Sequence, residues 1–392
     1  MVETAIGKHY HTIVIGLGAM GSAALYQLTR RGRRALGIEQ FDVPNDMGSS
    51  HGLTRIIRLA YYEHPSYVPL LRRAYELWHE LEERTGESLL CETGSIDAGP
   101  FGSAVFEGSL RSCELHGLPH EVFTSTQLRR RFPGYQLPAD TMAVLQPQGG
   151  YLRPERCVIA HTAAAQAKGA DVHTRERVTA WEPKTNGVRV VTDHAEYTAD
   201  HLVICAGAWM AGIVEILKGI TIPERQVVAW FQPHRAEYFM PGSFPVFNIV
   251  VPEGRYYGFP VAEAPGFKIG RYHHRAEIVD PEHVDRDCKA EDESLLRDLV
   301  TRYFPEACGP TLRMQSCIFT NSPDEHFILD VHPDWPQVIL ASPCSGHGFK
   351  FASVVGEILA DLVERGRTDH DISLLRLGRL QTKPTRSAES ST

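Results

Sequence analysis

The sequence predicts an α/β protein of two interleaved domains: a Rossmann-like nucleotide-binding domain and a second domain built on a mixed β-sheet. Three observations lead to this prediction. The chain opens with a strand, a glycine-rich turn and a helix; it closes with another strand, glycine turn and helix; and the part between them is rich in strands. We therefore expect a nucleotide-binding domain that the chain enters more than once.

The first element is a βαβ nucleotide-binding unit. An apolar strand at 13–15 leads into a turn with Gly16, Gly18 and Gly21, and a helix with regularly spaced apolar residues follows. The first glycine permits the tight turn, the second lets a pyrophosphate approach the backbone, and the third lets helix and strand pack closely. Glu39 ends the next strand, where an acid accepts hydrogen bonds from a ribose hydroxyl and disfavours a 2′-phosphate. The expected cofactor is therefore FAD or NAD.

The later elements indicate which of the two. NAD domains are usually one continuous block, whereas here the strand ending near Gly207 and the C-terminal unit return the chain to the nucleotide domain. This favours FAD and a domain of the glutathione-reductase/D-amino-acid-oxidase type. The predicted FAD-binding segments are 1–90, 150–220 and 314–380, the substrate-domain segments are 91–149 and 221–313, and a disordered tail covers 381–392. Helices are predicted at 67–84, 155–167 and 291–303, strands at 226–232, 246–251, 256–259 and 267–272, and only short pieces, broken by prolines, at 90–150.

Composition and charge restrict the class of protein. The 392 residues are 43% apolar and 22% charged, which is ordinary for a globular chain of about two domains. A formal net charge of -8 gives no field that would attract nucleic acid or an anionic membrane. There is no secretory signal, no apolar run long enough to span a membrane, no metal-binding HExxH motif and no CxxC pair among the eight cysteines. We expect a cytoplasmic protein with no metal site and no nucleic-acid or membrane partner.

Two short segments combine glycines with cations. Arg55 and Arg58 follow a loop rich in glycine and serine, and Gly346 and Gly348 precede Lys350 and a helix. Arginine pairs bidentately with carboxylates, and a helix N-terminus stabilises negative charge. Surface ion pairs and an ordinary structural turn are the alternative interpretations.

Cys317 and Lys268 lie in predicted strands. Judged by residue type, a single cysteine in an apolar strand is more often a packed core thiol, and a lysine in a strand more often faces solvent. Residue type alone therefore assigns chemistry to neither.

Six blocks of the chain resemble the family of monomeric sarcosine oxidase and N-methyltryptophan oxidase. In chain order they are IVIGLGAMGSAA, SHGLTRIIRLAY, YYGFP, FKIG, SCIFTNSPDEHFILD and CSGHGFKFASVVGEILADL. The resemblance implies FAD attached through its 8α-methyl to the thioether of Cys317. It also implies oxidation of N-methyl or other secondary amino acids by O₂, giving H₂O₂ and an imine that hydrolyses in water. The partners it implies are a small secondary amino acid and O₂, taken by a monomer.

The resemblance further implies roles for individual residues. Arg55 looks like the arginine against one face of the flavin, and Lys268 like the lysine that activates O₂ through a water at the opposite face. Arg58 and Lys350 look like the clamp for the substrate carboxylate. The other implied site residues are Tyr257, His347 and Gly346 in the substrate pocket, Ser49, His51 and Thr54 in the flavin loop, and the Gly346 to Gly348 turn, which holds the negative charge of the reduced flavin.

Three positions depart from the family pattern. Where the family has a lysine-x-glycine-x-histidine run, this chain reads KIGRYH, so the catalytic histidine of the pocket is His273, or Tyr272 takes its place. Asn248 stands where a methionine is expected, and Phe319 where a tyrosine is expected. The substrate therefore stays open between sarcosine, N-methyltryptophan, pipecolate or proline, glycine and fructosyl amino acids. A dye- or quinone-linked dehydrogenase and a non-catalytic FAD-binding protein are the alternatives of other classes.

Overall fold

The computed structural model describes residues 8–381. Its strands, numbered in chain order, are β1 (His9–Ile15), β2 (Ala35–Ile38), β3 (Arg55–Ile57), β4 (Leu90–Glu92), β5 (Ser95–Pro100), β6 (Glu121–Thr124), β7 (Thr141–Gln146), β8 (Gly150–Leu152), β9 (Asp171–His173), β10 (Val178–Lys184), β11 (Gly187–Thr192), β12 (Glu196–Ile204), β13 (Ile222–Phe231), β14 (Val246–Val251), β15 (Gly254–Phe259), β16 (Phe267–Arg271), β17 (Thr311–Asn321), β18 (Ile328–Val331) and β19 (Val338–Ser342). Its α-helices are α1 (Ala19–Arg30), α2 (Tyr67–Thr85), α3 (Ala104–His116), α4 (Ser125–Arg131), α5 (Pro154–Gln166), α6 (Met210–Ile213), α7 (Ala290–Tyr303), α8 (Ala352–Arg365) and α9 (Gly378–Gln381). The predicted disordered tail lies outside the described residues, except that Gln381 ends α9.

The nucleotide-binding sheet has a parallel centre. In the order β9, β2, β1, β12, β19 every neighbouring pair is parallel. β18 adds antiparallel to β19, and the hairpin of β10 and β11 pairs with the first half of β12. β1 is buried from Thr12 to Ile15, as expected for a parallel strand covered on both faces. The predicted βαβ unit is therefore present.

Two glycines allow the helices from the two ends of the chain to pack together. A Cβ on Gly21 would lie 1.7 Å from the carbonyl oxygen of Gly16, so α1 can lie against the end of β1 only because this position has no side chain. A Cβ on Gly356 of α8 would lie 2.6 Å from the carbonyl carbon of Ala23 on α1. Helix α8 thereby covers the same side of the sheet as α1, and the C-terminal unit completes the nucleotide domain.

The second sheet is mixed and has two unlike faces. Its order is β17, β13, β16, β15, β14, β5, β7, β6, with only β14 and β5 parallel among these neighbours in the described chain. Side chains alternate along β16, so Phe267 and Ile269 pack into an apolar core with Leu299 of α7. Lys268 and Gly270 lie on the other face, which meets the nucleotide-binding domain. This face of the sheet carries the candidate site.

The two-sheet α/β architecture is confirmed. The strand expected to end near Gly207 is β12, whose two halves pair with different neighbours on the same side. Two details differ from expectation. The region 90–150 contains a regular helix, α3, whose first turn is capped by Ser103 accepting the N–H of Phe106. The boundary predicted between 313 and 314 falls inside β17, which pairs with β13 from Thr311 to Asn321. By its hydrogen bonds, β17 lies in the substrate sheet; the rest of the domain division stays a prediction.

No helix among residues 8–381 is both long enough and apolar enough to cross a membrane. The 19-residue α2 illustrates why, since it is amphipathic: its apolar side is buried and the opposite side carries charged residues.

Candidate active site

A long cavity of about 830 Å³ is lined by residues of both sheets, and its volume is typical of a ligand site, which is roughly 300–1,000 Å³. It extends from the glycine turn after β1 to the turn that precedes α8. The predicted site residues on its wall are Gly16, Gly18, Glu39, Ser49, His51, Arg55, Arg58, Tyr257, Cys317, Gly346, His347, Gly348 and Lys350. Thr54 and Lys268 lie directly behind this wall, and Gly21 supports the turn from below.

The nucleotide end of the cavity is a cradle made of backbone. Gly18 precedes α1, and a Cβ there would point toward Ser50 Oγ, 3.2 Å away. The N–H of Ala19, at the start of α1, donates to the same Ser50 oxygen at 3.1 Å. The first turn of α1 itself carries no acidic residue, and its positive end favours an anion. This turn fits a pyrophosphate.

Glu39 lies at the end of β2, where the dinucleotide motif requires an acid. Its carboxylate accepts the N–H of Leu17 at 2.8 Å and the N–H of Phe41 at 3.1 Å, and burial raises its pKa. Each carboxylate oxygen has a second lone pair, which leaves acceptor capacity on the cavity wall for a ribose hydroxyl. The backbone cradle and this acid together fit the nucleotide half of FAD.

The loop from 48 to 55 is held rigidly against the second sheet. Ser49 Oγ donates to the carbonyl of Ile318 on β17, and Arg55 Nη2 donates to the carbonyl of Ser49 at 2.8 Å. His51 Nε2 lies 3.1 Å from the carbonyl of Gly48, and its Nδ1 lies 2.9 Å from the side-chain nitrogen of Gln315. Burial and the nearby cations lower the pKa of His51 to about 3, so its ring is neutral at pH 7. The loop thus adds one fixed charge, that of Arg55, to the cavity wall.

Lys268 is buried behind this loop, contrary to the usual position of a strand lysine. Its Nζ donates to the carbonyl of Gly52 at 2.6 Å, the carbonyl of Thr54 at 3.1 Å and the hydroxyl of Thr54 at 2.9 Å. Burial, followed by the charge of Arg55, lowers its pKa well below the usual value, while the three oxygen acceptors favour the ammonium form. Its register partners on the two neighbouring strands are Phe259 and Trp230, and their rings flank the ammonium.

The expected placement of the two cations on opposite faces of the flavin requires correction. A Cβ built on Gly52 would lie 3.3 Å from Arg55 Nη1 and 3.8 Å from Lys268 Nζ. Both cations therefore lie at the same glycine, on one side of the cavity. The two cations lie close together because they share one acceptor: Arg55 Nη1 and Lys268 Nζ both donate to the carbonyl of Thr54.

Cys317 lies on the cavity wall in the middle of β17. It is buried, and its neighbours in a small cluster are the rings of Tyr272, Phe319 and Tyr257. Burial raises the pKa of the thiol, and the charges of Arg55 and Lys268 oppose that rise. The core-thiol interpretation is thus incomplete, because this thiol borders open space and faces cations.

The substrate end of the cavity contains a buried ion pair. Arg58 Nη2 donates to both carboxylate oxygens of Glu63, at 2.7 and 2.9 Å, and its guanidinium lies between the rings of Tyr61 and Tyr62, at 4.4 and 4.1 Å. Burial raises and Arg58 lowers the pKa of Glu63, to about 2 overall. A second acid, Asp97, has Oδ1 3.9 Å from Arg58 Nε. The predicted carboxylate clamp is therefore partly occupied by the protein's own carboxylates.

Lys350 is the less encumbered cation at this end. Among the described residues its Nζ has one hydrogen-bond acceptor, the carbonyl of His347 at 2.6 Å. Burial and the charge of Arg58 lower its pKa to about 7. Burial likewise lowers the pKa of His347 to about 4; its Nδ1 contacts the hydroxyl of Tyr61, and its Nε2 lies 2.9 Å from the carbonyl of Glu325. At pH 7 Lys350 is therefore about half protonated, whereas His347 is neutral, and the His347 carbonyl holds the Lys350 side chain in place.

Aromatic rings form the remaining wall. The ring centroids of Tyr257 and Tyr272 are 5.1 Å apart, and those of Tyr272 and Phe319 are 6.1 Å apart. Gly270 makes room for Tyr257, since a Cβ there would lie 2.6 Å from its hydroxyl oxygen. Gly346, at φ +75°, does the same for Phe319, with a Cβ distance of 2.5 Å to the ring. The pocket is therefore lined by aromatic rings on this side.

His273 does not lie in the pocket, so its assignment as the catalytic histidine requires correction. Its Nδ1 is 2.9 Å from Glu224 and its Nε2 is 3.0 Å from Glu325, and these two carboxylates raise its pKa to about 9. The alternative, Tyr272, lines the cavity. Lys268, Gly270 and Tyr272 share one face of β16 by alternation, and the chain then turns at His273, which has φ +53°.

Sequence reasoning missed the acids behind the clamp. Glu63 lies five residues after Arg58, and this proximity of an acid to a proposed anion-binding arginine was an available signal. Asp97 could not be found in this way, because it reaches the site only through the pairing of β5 with β14.

Comparison with known proteins agrees with this geometry. The family model described as FAD dependent oxidoreductase matches residues 11–362. Monomeric sarcosine oxidase from Streptomyces avermitilis is 42% identical over 383 residues, 96% of this chain and 99% of that protein. N-methyl-L-tryptophan oxidase from Yersinia pestis is 36% identical over 375 residues, 95% of this chain and 100% of that protein. The structure of NikD, an unusual amino acid oxidase essential for nikkomycin biosynthesis, has a TM-score of 0.82 at 25% identity and covers 94% of this chain and 98% of its own. The chain therefore belongs to the FAD-dependent oxidoreductases, in the family of monomeric sarcosine oxidase and N-methyl-L-tryptophan oxidase.

Proposed function

We propose that this protein is a flavin-dependent oxidase of secondary amino acids, of which sarcosine is the simplest, and that it reduces O₂ to H₂O₂. The observation that carries the proposal is that one cavity contains a dinucleotide-binding turn, the thiol of Cys317 and the buried cations Arg58 and Lys350. The turn fits FAD, and the two cations fit the carboxylate of an amino acid. The names of the two relatives, sarcosine oxidase and N-methyl-L-tryptophan oxidase, agree with this class of substrate.

Bound FAD supplies the acceptor for a hydride from the carbon next to the amine nitrogen. The chain's own residues bind and orient the substrate. Lys350 offers its ammonium to the carboxylate, with only one of its three N–H groups used by a described residue. Arg58 also binds the substrate carboxylate only if that carboxylate shares the guanidinium with Glu63 or displaces the Glu63 side chain. The two cations thus fix one end of the substrate.

The aromatic wall fixes the other end. The packed rings of Tyr257, Tyr272 and Phe319 suit an N-methyl group and exclude water from the reacting carbon. The depressed pKa of His347 keeps a second positive charge away from the amine, which favours the neutral amine needed for oxidation.

The cation pair at Gly52 suits reduction of O₂. Arg55 and Lys268 hold two positive charges in fixed positions next to the cavity, and preorganised charges stabilise an anion as it forms. Lys268→Met should therefore slow reoxidation of the reduced enzyme by O₂ more than it slows reduction by the amine. Exchange of an exposed lysine, Lys184→Met, should change neither rate.

We further propose that FAD is attached through Cys317. Support comes from its place on the wall and from the cations that oppose the burial-induced rise of its pKa, since the thiolate is the reactive form. Acid precipitation of the protein should leave the yellow colour in the pellet. Cys317→Ser should release it to the supernatant, whereas Cys344→Ser, which changes another cysteine of the cavity wall, should not. Colour in the supernatant of the unaltered protein would exclude the attachment.

The activity is tested by a peroxide-coupled screen of sarcosine, N-methyltryptophan, proline, pipecolate, glycine and bulkier N-alkylglycines. The expected result is peroxide release with secondary amino acids, and loss of at least about tenfold in kcat/KM with Lys350→Met, because one charged hydrogen bond of about 1.5–3 kcal/mol is removed. Anaerobic bleaching by an amine without peroxide formation in air would instead indicate a dehydrogenase. The relatives' description as monomeric leads us to propose a monomer, which gel filtration checks.

A further inference from the structure

One row of residues crosses the substrate sheet beneath the cavity. Asn248 on β14 is in register with Asp97 on β5 and with Tyr257 on β15. Residues opposite one another in a ladder point to the same face, so these three side chains are neighbours. Asn248 and Tyr257 line the cavity, and Asp97 lies behind them.

The hydrogen bonds of Asp97 fix the orientation of the Asn248 amide. Asn248 Nδ2 donates to Asp97 Oδ1 at 2.8 Å, and Ser109 Oγ donates to Asp97 Oδ2 at 2.8 Å. A carboxylate that accepts from both partners requires the amide nitrogen, not the amide oxygen, on its side of Asn248. The amide oxygen is thereby turned away from Asp97, toward the cavity.

That oxygen lacks a partner in the protein. Within residues 8–381 no group donates a hydrogen bond to Asn248 Oδ1, although the residue is only 1% exposed. An acceptor that borders a cavity and has no partner in the protein is satisfied by water or by a group that the cavity binds. A methionine, the residue that the family resemblance leads one to expect here, would offer no such acceptor.

We propose that Asn248 determines substrate specificity by accepting a hydrogen bond from a hydroxyl or N–H group on a short side chain of the substrate. The inference rests on the proposed oxidation of secondary amino acids and names a class within it: N-alkyl amino acids with a polar, hydrogen-bond-donating side chain. The donor lies near the carboxylate, because Asp97, which holds the amide, is 3.9 Å from Nε of the carboxylate-binding Arg58. A long side chain is not required to reach it.

Ligand binding to the flavin-loaded protein gives a test that does not depend on turnover. Two unreactive carboxylates, 3-hydroxypropionate and butyrate, differ by a hydroxyl in place of a methyl group, and their Kd values follow from changes in the flavin absorption spectrum. We expect 3-hydroxypropionate to bind at least about fivefold more tightly, the effect of one satisfied buried acceptor. Asn248→Leu and Asn248→Met should remove or reverse this preference, and Gln136→Leu, which removes an exposed amide outside the cavity, should keep it.

Turnover provides the second measurement. The kcat/KM ratio of N-methylserine to N-methylalanine should exceed one in the unaltered enzyme and fall at least about fivefold in both Asn248 variants. A ratio that is the same in all proteins overturns the inference, and the proposed function still stands if secondary amino acids are oxidised. A hydroxyl preference in binding with no amine oxidation at all would instead overturn the proposed function alone. An equal loss for sarcosine and both test substrates would show that Asn248 holds the amine and not a side chain, which also overturns the inference.

Discussion

The pairing of Arg58 with Glu63 leads to a prediction with opposite effects on stability and on binding. Glu63→Gln removes the carboxylate that now accepts two hydrogen bonds from Arg58 Nη2. Loss of one partner from a buried ion pair costs roughly 3–5 kcal/mol, because the other charge stays buried without compensation. The low end applies here, since glutamine retains an accepting oxygen and Asp97 lies 3.9 Å from Arg58 Nε.

This cost converts into a measurable shift in melting temperature. An unfolding entropy of about 2.1 cal/mol/K per residue over 392 residues gives about 0.8 kcal/mol/K, so a loss of 3 kcal/mol lowers Tm by about 4 °C. The control Glu83→Gln removes the same charge from an exposed position of α2 and should leave Tm within about 1 °C.

Binding should change in the other direction. A guanidinium freed from Glu63 is available to an incoming carboxylate, so Glu63→Gln should tighten binding of a small carboxylate such as propionate by at least about tenfold. The same ligand should restore part of the lost Tm, as expected for a ligand that binds only the native state. Circular dichroism melts and spectral titrations measure both effects. Weaker binding of propionate by the variant would refute the reasoning and show that Glu63 orients Arg58 for the substrate instead of competing with it.

Three further predictions concern other parts of the molecule. Gly21→Ala should abolish FAD loading, because its Cβ would meet the Gly16 carbonyl oxygen at 1.7 Å, while Gly378→Ala, with open space around it, should load normally; absorption at 450 nm per polypeptide measures this. The Kd of a carboxylate should rise by up to about tenfold per pH unit above the Lys350 pKa of about 7, since Lys350 binds a carboxylate only in its ammonium form. A Kd that does not change with pH in Lys350→Gln would show that the effect comes from Lys350. The pKa of His273 is about 9 when folded, above its usual 6.5, so its stabilising contribution is complete below pH 6.5 and is lost as pH rises through 9. Because the side chain is 40% exposed this contribution is at most about 1 kcal/mol, and denaturant melts of His273→Gln should show a flatter dependence on pH between those values.

The parts of the fold that are encoded locally could be predicted from the sequence. The glycine turn after β1 and the acid Glu39 serve adjacent parts of one supersecondary unit, so spacing alone placed them correctly relative to each other. Four strands of the substrate sheet, β13 to β16, were placed to within a few residues, because their apolar runs are short and well separated. Such features need no knowledge of how distant segments pair.

Residues that reach the site through strand pairing could not be placed in the same way. Asp97 contacts Arg58 and Asn248 only because β5 pairs in parallel with β14, a register that no local pattern specifies. The choice between Tyr272 and His273 is different, because alternation along one strand decides it. Once Lys268 is assigned to the cavity side of β16, Tyr272 must share that side, and this step needed only the period of two.

The buried charges at the substrate end also connect the two parts of the substrate that we propose the protein recognises. Asp97 Oδ1 accepts the Asn248 amide and lies 3.9 Å from Arg58 Nε, so a single carboxylate faces both the cation for the substrate carboxylate and the amide for the side chain. A bound carboxylate adds negative charge near Asp97 and Glu63 in surroundings of low dielectric. Arg58 cannot respond by changing its protonation, whereas Lys350, with a pKa of about 7, can take up a proton. Binding of a carboxylate should therefore raise the pKa of Lys350, and Asp97 fixes the orientation of the Asn248 amide beside the same charges.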